Sequence, residues 1–380
     1  MNSKLPNIGT NIFSIMSALA KEHNAINLSQ GFPDYPISNE LMDSVTQAMK
    51  DGFNQYAPMI GLPELRNALA SKIQKLYQAN INPDTEITIT PGGTYSIYTS
   101  LTTILEAGDE VIVLEPAYDS YIPNIETNGA KAICIPLLYP TYCVDWERVK
   151  SNINEKTKAI VINTPHNPTG YVWTKADMLQ LDSLTKDTAI YIISDEVYEH
   201  ITLDGRQHES VLKYPSLYKR SFVTFSFGKV FHTTGWKMGY CVAPENLMNE
   251  FRKIHQFICF TCNTPMQVAL TKILANENEY LSLPTFFQKK RDLFLENLKD
   301  LPFTIHEKAQ GSYFQLASYE KINDMGDKDF AIWLTKEIGV AVIPVSAFYH
   351  NGKDDKLIRF CFAKKDETLL EAIEKMRKLI

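Results

Sequence analysis

The strongest constraint on the fold is a repeating alternation in the middle of the chain. From about residue 86 to residue 244, short β-rich apolar runs alternate with longer segments of helical period. This alternation is typical of βαβ units built around a mainly parallel sheet. The runs are residues 87–90, 110–114, 132–135, 159–162, 189–193, 221–225 and 239–242. The sequence therefore predicts an α/β fold with a mainly parallel, seven-stranded sheet.

The two ends of the chain have a different pattern. After about residue 270 come long charged helical segments, then a strand-like segment at 311–316 and a terminal helix from Glu367. The first 45 residues hold few strand signals, so we expect them to pack on this second part or on a partner chain. The prediction is a large domain of residues 46–274 and a smaller α+β domain of residues 1–45 and 275–380.

Composition excludes several classes of partner. A formal net charge of −6 argues against a nucleic-acid surface, which is usually basic. No apolar run approaches the roughly 20 residues of a membrane span. Six scattered cysteines and the lack of a leader-like start favour a cytoplasmic protein. Cys259 and Cys262 form a CxxC pair without two further ligands at suitable spacing, so no metal site is predicted.

Polar or glycine-rich segments follow four of the predicted strands. In open parallel sheets ligands bind beyond the carboxyl ends of the strands, so these segments predict one shared site. They are Gly92-Gly93-Thr94, residues 163–170, Asp195 to Tyr198, and Ser226 to Lys229.

Lys229 and its neighbours could serve an aldehyde and a phosphate together. Ser226 stands three residues before Lys229, and Lys237 stands eight residues after it. A lysine that forms a Schiff base must be positioned and partly desolvated, while a hydroxyl and a cation suit a phosphate. Taken alone, the same lysine would be interpreted as a surface lysine in a turn.

Asp195 strengthens the first interpretation. A carboxylate directly after a buried strand needs a cationic partner, and a protonated pyridine nitrogen is one. The alternative is an aspartate that caps a helix. Asn167 and Tyr198 could both reach a phenolic oxygen on the same ring, although Asn167 in Asn-Pro-Thr-Gly also suits an ordinary turn.

Gly92, Gly93 and Thr94 predict a phosphate-binding turn at a helix N-terminus, because glycine lets the backbone approach an anion closely. The segment lacks both the GxGxxG pattern of dinucleotide sites and the GxxxxGK[ST] pattern of P-loops. Nicotinamide and ATP are therefore not favoured.

With these motifs the chain resembles the fold-type-I, class I/II aminotransferases, which depend on pyridoxal 5'-phosphate (PLP). The resemblance spans nearly the whole chain and is closest to the methionine and kynurenine/glutamine aminotransferases. The segments that carry it are Ser226-Phe-Gly-Lys229, Thr234-Gly-Trp-Lys237, Asn167-Pro-Thr-Gly, Asp195-Glu-Val-Tyr198, residues 27–34, residues 54–58 and residues 357–365.

The resemblance implies a role for each cofactor-binding residue. Lys229 would bind PLP as a Schiff base, and Tyr118 would stack on the pyridine ring. Tyr56 would reach the phosphate in the neighbouring subunit, which implies a homodimer with shared sites. Lys237 stands where many relatives have arginine, so the positive charge is kept but the bidentate hydrogen bonding of a guanidinium is lost.

The resemblance also implies a substrate site. Arg359 would bind the α-carboxylate of an amino acid, where a planar donor suits a planar acceptor. Gly31 and Asn167 would assist, and Phe13 and the partner chain's copy of Phe260 would line the side-chain pocket. Without the resemblance, Arg359 would be read as a strand-edge ion pair and the aromatic residues as core.

The predicted function is transfer of the amino group of methionine, glutamine or an aromatic amino acid to a 2-oxo acid by a ping-pong mechanism, with Lys229 as proton shuttle. A PLP-dependent cysteine-S-conjugate β-lyase would need the same residues, and the motifs do not separate the two. A non-catalytic effector-sensing module is a third alternative, but it would need a DNA-binding extension.

Overall fold

The structure, a computed structural model, describes residues 3–6 and 8–380. Its strands are β1 (Ile26–Asn27), β2 (Ile87–Thr90), β3 (Glu110–Glu115), β4 (Lys131–Pro136), β5 (Thr157–Asn163), β6 (Tyr191–Asp195), β7 (Ser221–Ser226), β8 (Gly239–Val242), β9 (Phe314–Ser318), β10 (Val340–Ala341), β11 (Ile343–Pro344) and β12 (Leu357–Cys361).

The helices are α1 (Ile12–Glu22), α2 (Asn39–Lys50), α3 (Pro63–Tyr77), α4 (Gly93–Ile104), α5 (Tyr121–Thr127), α6 (Trp146–Ser151), α7 (Lys175–Thr185), α8 (Pro215–Tyr218), α9 (Phe227–Val230), α10 (Glu245–Ile258), α11 (Thr264–Leu274), α12 (Asn278–Leu281), α13 (Leu283–Leu298), α14 (Asp327–Trp333) and α15 (Asp366–Met376). Short 3₁₀ helices lie at Val211–Lys213, Thr234–Trp236, Val345–Phe348 and Arg377–Leu379, and a π-helical turn at Leu334–Ile338.

The seven predicted strands form one sheet in the order β2-β8-β7-β6-β5-β3-β4. Strand β8 runs antiparallel to both of its neighbours, and the other neighbouring pairs are parallel. The predicted α/β class and the mainly parallel sheet are therefore confirmed. Since β2 and β7 both pair antiparallel with β8, the carboxyl ends of six strands lie at the same edge.

Each face of the sheet packs against its own apolar core, which explains the continuous apolar runs. In β3, Val111 and Val113 pack on one side while Ile112 packs on the other. In β6, Ile193 packs on the same side as Val111 and Val113, and Ile192 packs on the opposite side.

A smaller α+β part follows, in which β11, β12 and β9 form an antiparallel sheet. The predicted strand at 311–316 differs from the observed β9, which begins at Phe314. The reason is local, because Ser312 has φ +58° and a Cβ on Gly311 would lie 2.6 Å from a Val172 methyl carbon. These residues form a turn in close contact with the large sheet's loops.

The N-terminal segment lies against this smaller part. Strand β1 pairs in parallel with β10, and the Cys361 amide donates to the Leu28 carbonyl. Helix α2, however, packs against α11, and a boundary at residue 45 would cut it. We propose that the large domain begins at Asn39. No helix among the described residues combines the length and apolarity needed to span a bilayer.

Candidate active site

A cavity of about 320 Å³ opens at the shared carboxyl edge of the strands and reaches the smaller sheet. The predicted residues that line it are Phe13, Gly31, Gly92, Gly93, Thr94, Tyr118, Asn167, Asp195, Tyr198, Ser226, Lys229, Lys237 and Arg359. The four predicted loops therefore converge, as the sheet topology requires.

Lys229 lies on the short helix α9, directly after β7. Its Nζ donates to the Tyr313 hydroxyl at 2.9 Å and to the Gly31 carbonyl at 3.2 Å. Burial lowers the pKa of this amine to about 8, because charging it in a desolvated site is costly. A substantial fraction of the amine is thus neutral near physiological pH.

Asp195 is the last residue of β6 and is only 4% exposed. Its carboxylate accepts a hydrogen bond from the Tyr121 hydroxyl at 2.6 Å and from the Val197 amide at 3.3 Å. Burial nevertheless raises its pKa to about 6. A carboxylate held in this way is poised to pair with a cation that enters the cavity.

Two tyrosines and an asparagine border the space between Asp195 and Lys229. Tyr118 approaches Thr94, with 3.4 Å between the hydroxyl oxygens, and Tyr198 lies with its ring 5.5 Å from the Lys229 Nζ. The backbone amide of Asn167 donates to the Asn163 side chain at 2.7 Å, which fixes the start of the Asn-Pro-Thr-Gly turn.

The glycine turn after β2 forms one end of the cavity. Gly92 has φ +90°, and a Cβ there would lie 3.5 Å from the Lys237 side chain, while a Cβ on Gly93 would lie 2.9 Å from a Val197 methyl carbon. Only glycine fits both positions without rearrangement. The N-terminus of the twelve-residue helix α4, Ser226 and Lys237 thus border the same end, which suits an anion.

Arg359 lies in the centre of β12 and is 1% exposed. It donates to the Asn167 side-chain oxygen at 2.8 Å and to the Ser29 carbonyl at 2.9 Å, and its Nε is buried without a partner. Burial lowers its pKa to about 10, so it remains a cation at neutral pH.

Aromatic rings surround the Arg359 guanidinium. Its central carbon lies 3.8 Å from the ring centre of Phe314, 5.0 Å from Phe348 and 5.2 Å from Phe13. These contacts desolvate the cation and fix its plane, which suits two-toothed binding of a carboxylate.

Tyr56 and Phe260 are the predicted residues that do not line the cavity of this chain. Their rings pack edge to face with centres 5.5 Å apart, and Tyr56 is 83% exposed. Both were predicted to act in a neighbouring subunit, and this location leaves that prediction open.

Several residues that border the site were not predicted from the sequence. Tyr121 holds Asp195, Tyr313 holds Lys229, and Thr234 and Phe314 line the cavity. Thr234 carried a detectable signal, because it lies in the quoted Thr-Gly-Trp-Lys237 segment. The spacing of the other three gave no such signal.

The site fits PLP on three observations of this structure. A buried carboxylate with a raised pKa faces the place of a cationic ring nitrogen, a buried amine faces the place of an aldehyde, and a glycine turn with a lysine borders the place of a phosphate. A carboxylate for the ring nitrogen, an amine for the aldehyde and an anion site for the phosphate are the groups that PLP requires.

The sequence model of the family Aminotransferase class I and II matches residues 23–376. The chain belongs to this family. It is 45% identical over 378 residues to the methionine aminotransferase of Escherichia coli (strain K12), a match that covers 99% of this chain and 98% of that protein. It is 32% identical over 411 residues to kynurenine–oxoglutarate transaminase 1 of Rattus norvegicus, covering 99% and 97%.

Solved structures of aminotransferases support the assignment of the chain to this family. An Escherichia coli protein with an identified methionine aminotransferase function superposes with a TM-score of 0.97 at 44% identity, covering 100% of this chain and 99% of that chain. N-Succinyldiaminopimelate aminotransferase from Mycobacterium tuberculosis superposes with a TM-score of 0.95 at 31% identity, with full coverage of both chains.

Family membership confirms three predictions: the fold type, the dependence on PLP and the aminotransferase activity. It favours an enzyme over an effector-sensing module. These relatives are named as aminotransferases, and nothing in them favours the β-lyase alternative.

Proposed function

We propose that this aminotransferase moves the amino group of methionine, glutamine or an aromatic amino acid to a 2-oxo acid. The observation that carries the proposal is the buried, partly unpaired Arg359 set among aromatic rings within reach of Lys229 and Asp195. The names of the methionine and kynurenine relatives support the same class of substrate.

In this proposal Asp195 keeps the ring nitrogen protonated, while Tyr118 stacks on the ring and Tyr198 donates to its phenolic oxygen. Gly92, Gly93, Thr94, Ser226 and Lys237 hold the phosphate. When bound, PLP supplies an electron sink for the negative charge that develops at the substrate Cα.

In this proposal the Lys229 Nζ accepts the proton from the substrate Cα and would deliver a proton to the former aldehyde carbon on the same face, because one amine reaches only one face of a planar system. A neutral amine is needed for the first step, and burial makes that form available near pH 8. The Tyr313 hydroxyl and the Gly31 carbonyl, which contact Nζ, would orient the amine between the two transfers.

Arg359 binds the α-carboxylate, and the Asn167 side chain holds one end of the guanidinium. Gly31 contributes a backbone group at the same place. A Cβ on Gly31 would lie 2.8 Å from the Phe314 ring, so a larger residue would displace that ring from Arg359.

The side-chain end of the cavity suits an uncharged substrate. Phe13, Phe32 and Phe314 line it, and the cations that line the cavity in the described part of the chain are Lys229, Lys237 and Arg359. With each of these assigned another task, a second carboxylate would lack a partner.

The test compares half-reactions of the PLP-loaded enzyme with single amino acids. Methionine, phenylalanine and glutamine should reduce the PLP absorbance far faster than aspartate or glutamate. Equal or greater rates with aspartate would contradict the assigned substrate class, even though transamination itself would stand.

We further propose a cytoplasmic homodimer in which Tyr56 reaches the partner's phosphate and Phe260 its substrate pocket. Tyr56 and Phe260 contact each other and are 83% and 43% exposed, and Phe257 near the end of α10 is 84% exposed, so these are apolar side chains that a partner would cover. All six cysteines are unpaired, as expected in a reducing compartment.

Mixed dimers test the shared site. Lys229→Ala and Tyr56→Ala chains, each weakly active alone, should regain about a quarter of wild-type activity when unfolded together and refolded, because half of the dimers hold one intact site. Failure to regain activity, although light scattering shows a dimer, would contradict a shared site.

A further inference from the structure

A second cluster of reactive side chains lies at the sheet edge, apart from the residues that line the cavity. Glu115 ends β3, Cys134 lies on the neighbouring edge strand β4, and His350 follows the 3₁₀ helix Val345–Phe348. One potential ligand atom from each residue lies within 4.8 Å of the other two. The chain separates Glu115 from His350 by 235 residues, so spacing alone could not reveal this cluster.

The carboxylate at the centre of the cluster is buried and depends on the histidine. The Glu115 side chain is 3% exposed and accepts hydrogen bonds from the His350 amide at 2.6 Å and from the His350 Nδ1 at 2.9 Å. Within the described residues, that imidazole is the only ion-pair partner of Glu115. The imidazole is itself half-exposed and can turn.

The three donors suit one class of metal. Thiolate and imidazole are ligands of Zn²⁺ and similar transition metals, whereas Mg²⁺ and Ca²⁺ prefer oxygen only. We propose that Glu115, Cys134 and His350 form a binding site for Zn²⁺ or a similar divalent transition metal, with water as the fourth ligand.

The geometry permits this site after small side-chain movements. Bonds of about 2.0–2.3 Å in a tetrahedral arrangement place the ligand atoms roughly 3.3–3.6 Å apart. The Nδ1 to carboxylate distance must therefore open slightly from 2.9 Å, and the Cys134 sulfur must approach from at most 4.8 Å. Rotation of the half-exposed His350 ring provides the first movement.

The charges also balance. A carboxylate, a thiolate and a neutral imidazole together neutralise a divalent cation, and the Glu126 carboxylate adds negative potential near Cys134. A thiol loses its proton when it binds a metal, so affinity should increase with pH.

A metal here would join two segments that border the active site. Glu115 lies three residues before Tyr118 in the chain, and between them the Ala117 amide donates to the Phe348 carbonyl at 2.8 Å. The Phe348 ring in turn contacts Arg359. The metal would thus brace, from outside, the contact between the Tyr118 loop and the Arg359 strand.

The test uses the tag-free PLP-loaded enzyme after dialysis against a chelator. Co²⁺ is titrated first, because its visible d–d bands report tetrahedral coordination away from the PLP absorbance, and Zn²⁺ is then measured by calorimetry and thermal unfolding. Cys134→Ser and His350→Ala are compared with Cys143→Ser and His306→Ala, which change a cysteine and a histidine outside the cluster.

We expect one Co²⁺ per chain with tetrahedral bands, a higher melting temperature with Zn²⁺, and at least a tenfold loss of affinity in Cys134→Ser and His350→Ala only. His350→Ala keeps the backbone amide that donates to Glu115, so the variant should fold with lower stability, and metal affinity is compared on the folded protein. Equal binding by cluster and control variants, or no tetrahedral bands in the wild type, would overturn the proposal. Either result would leave the transamination mechanism untouched.

Discussion

Replacing Asp195 by asparagine should stabilise the PLP-free protein while it destroys function. The pKa of this carboxyl is 3.8 in the unfolded chain and about 6 in the folded chain, so the folded state binds the proton more tightly. The resulting penalty is absent below pH 3.8, grows as the pH rises towards 6, and is complete above it. Each pKa unit corresponds to about 1.4 kcal/mol, which gives a penalty of about 3 kcal/mol at pH 8 and about 1.5 kcal/mol at pH 5.

Asparagine avoids this penalty, because its carbonyl oxygen can still accept from the Val197 amide while its NH2 group donates to the Tyr121 hydroxyl oxygen, which in the wild type donates to the other carboxylate oxygen. Urea unfolding of PLP-free wild type and Asp195→Asn should show the variant more stable by about 1–3 kcal/mol at pH 8 and by less at pH 5. Tyr121→Phe, the control, should be less stable than wild type at pH 8. A variant that is destabilised at pH 8, or stabilised equally at both pH values, would show that the ionised Asp195 carboxylate does not destabilise the folded protein.

The PLP-loaded enzyme gives three further predictions. The first-order rate of the half-reaction at saturating methionine should increase with pH through a midpoint near pH 8, where half of the Lys229 amine has lost its proton, and level off only at higher pH; a flat profile from pH 6.5 to 9 would argue against this base. Arg359→Lys should lower kcat/KM for methionine roughly 10- to 100-fold by removing a charged hydrogen bond, and an unchanged value would remove Arg359 from the carboxylate site. Gly92→Ala should cost about 1–3 kcal/mol of stability and weaken PLP binding because of its φ of +90°, whereas Gly235→Ala, with no atom near the new Cβ, should be close to neutral.

The strands and the main site residues could be predicted because their signals are local. A buried strand of a parallel sheet is a short apolar run, and its carboxyl end is where a ligand binds. Asp195 and Lys229 follow such runs directly, so topology alone brought them together. The confirmed sheet order explains why loops distant in the chain share one cavity.

The rest of the site depends on contacts that spacing does not reveal. Tyr121 meets Asp195 across 74 residues, and Tyr313 meets Lys229 across 84. With 19 Phe and 19 Tyr in the chain, nothing in the sequence marked these two tyrosines as neighbours of the site. The proposed start of the large domain at Asn39 likewise depends on a distant contact, because α2 packs against α11, which lies more than 200 residues away in the chain.

Transamination is tested most directly by mixing the PLP-loaded enzyme with methionine alone and following the absorbance and the products. We expect stoichiometric conversion to the pyridoxamine form with one oxo acid released per site, and loss of that conversion in Lys229→Ala. Catalytic ammonia release from a cysteine conjugate without any acceptor, with no conversion by methionine, would contradict this expectation, as would full activity in Lys229→Ala.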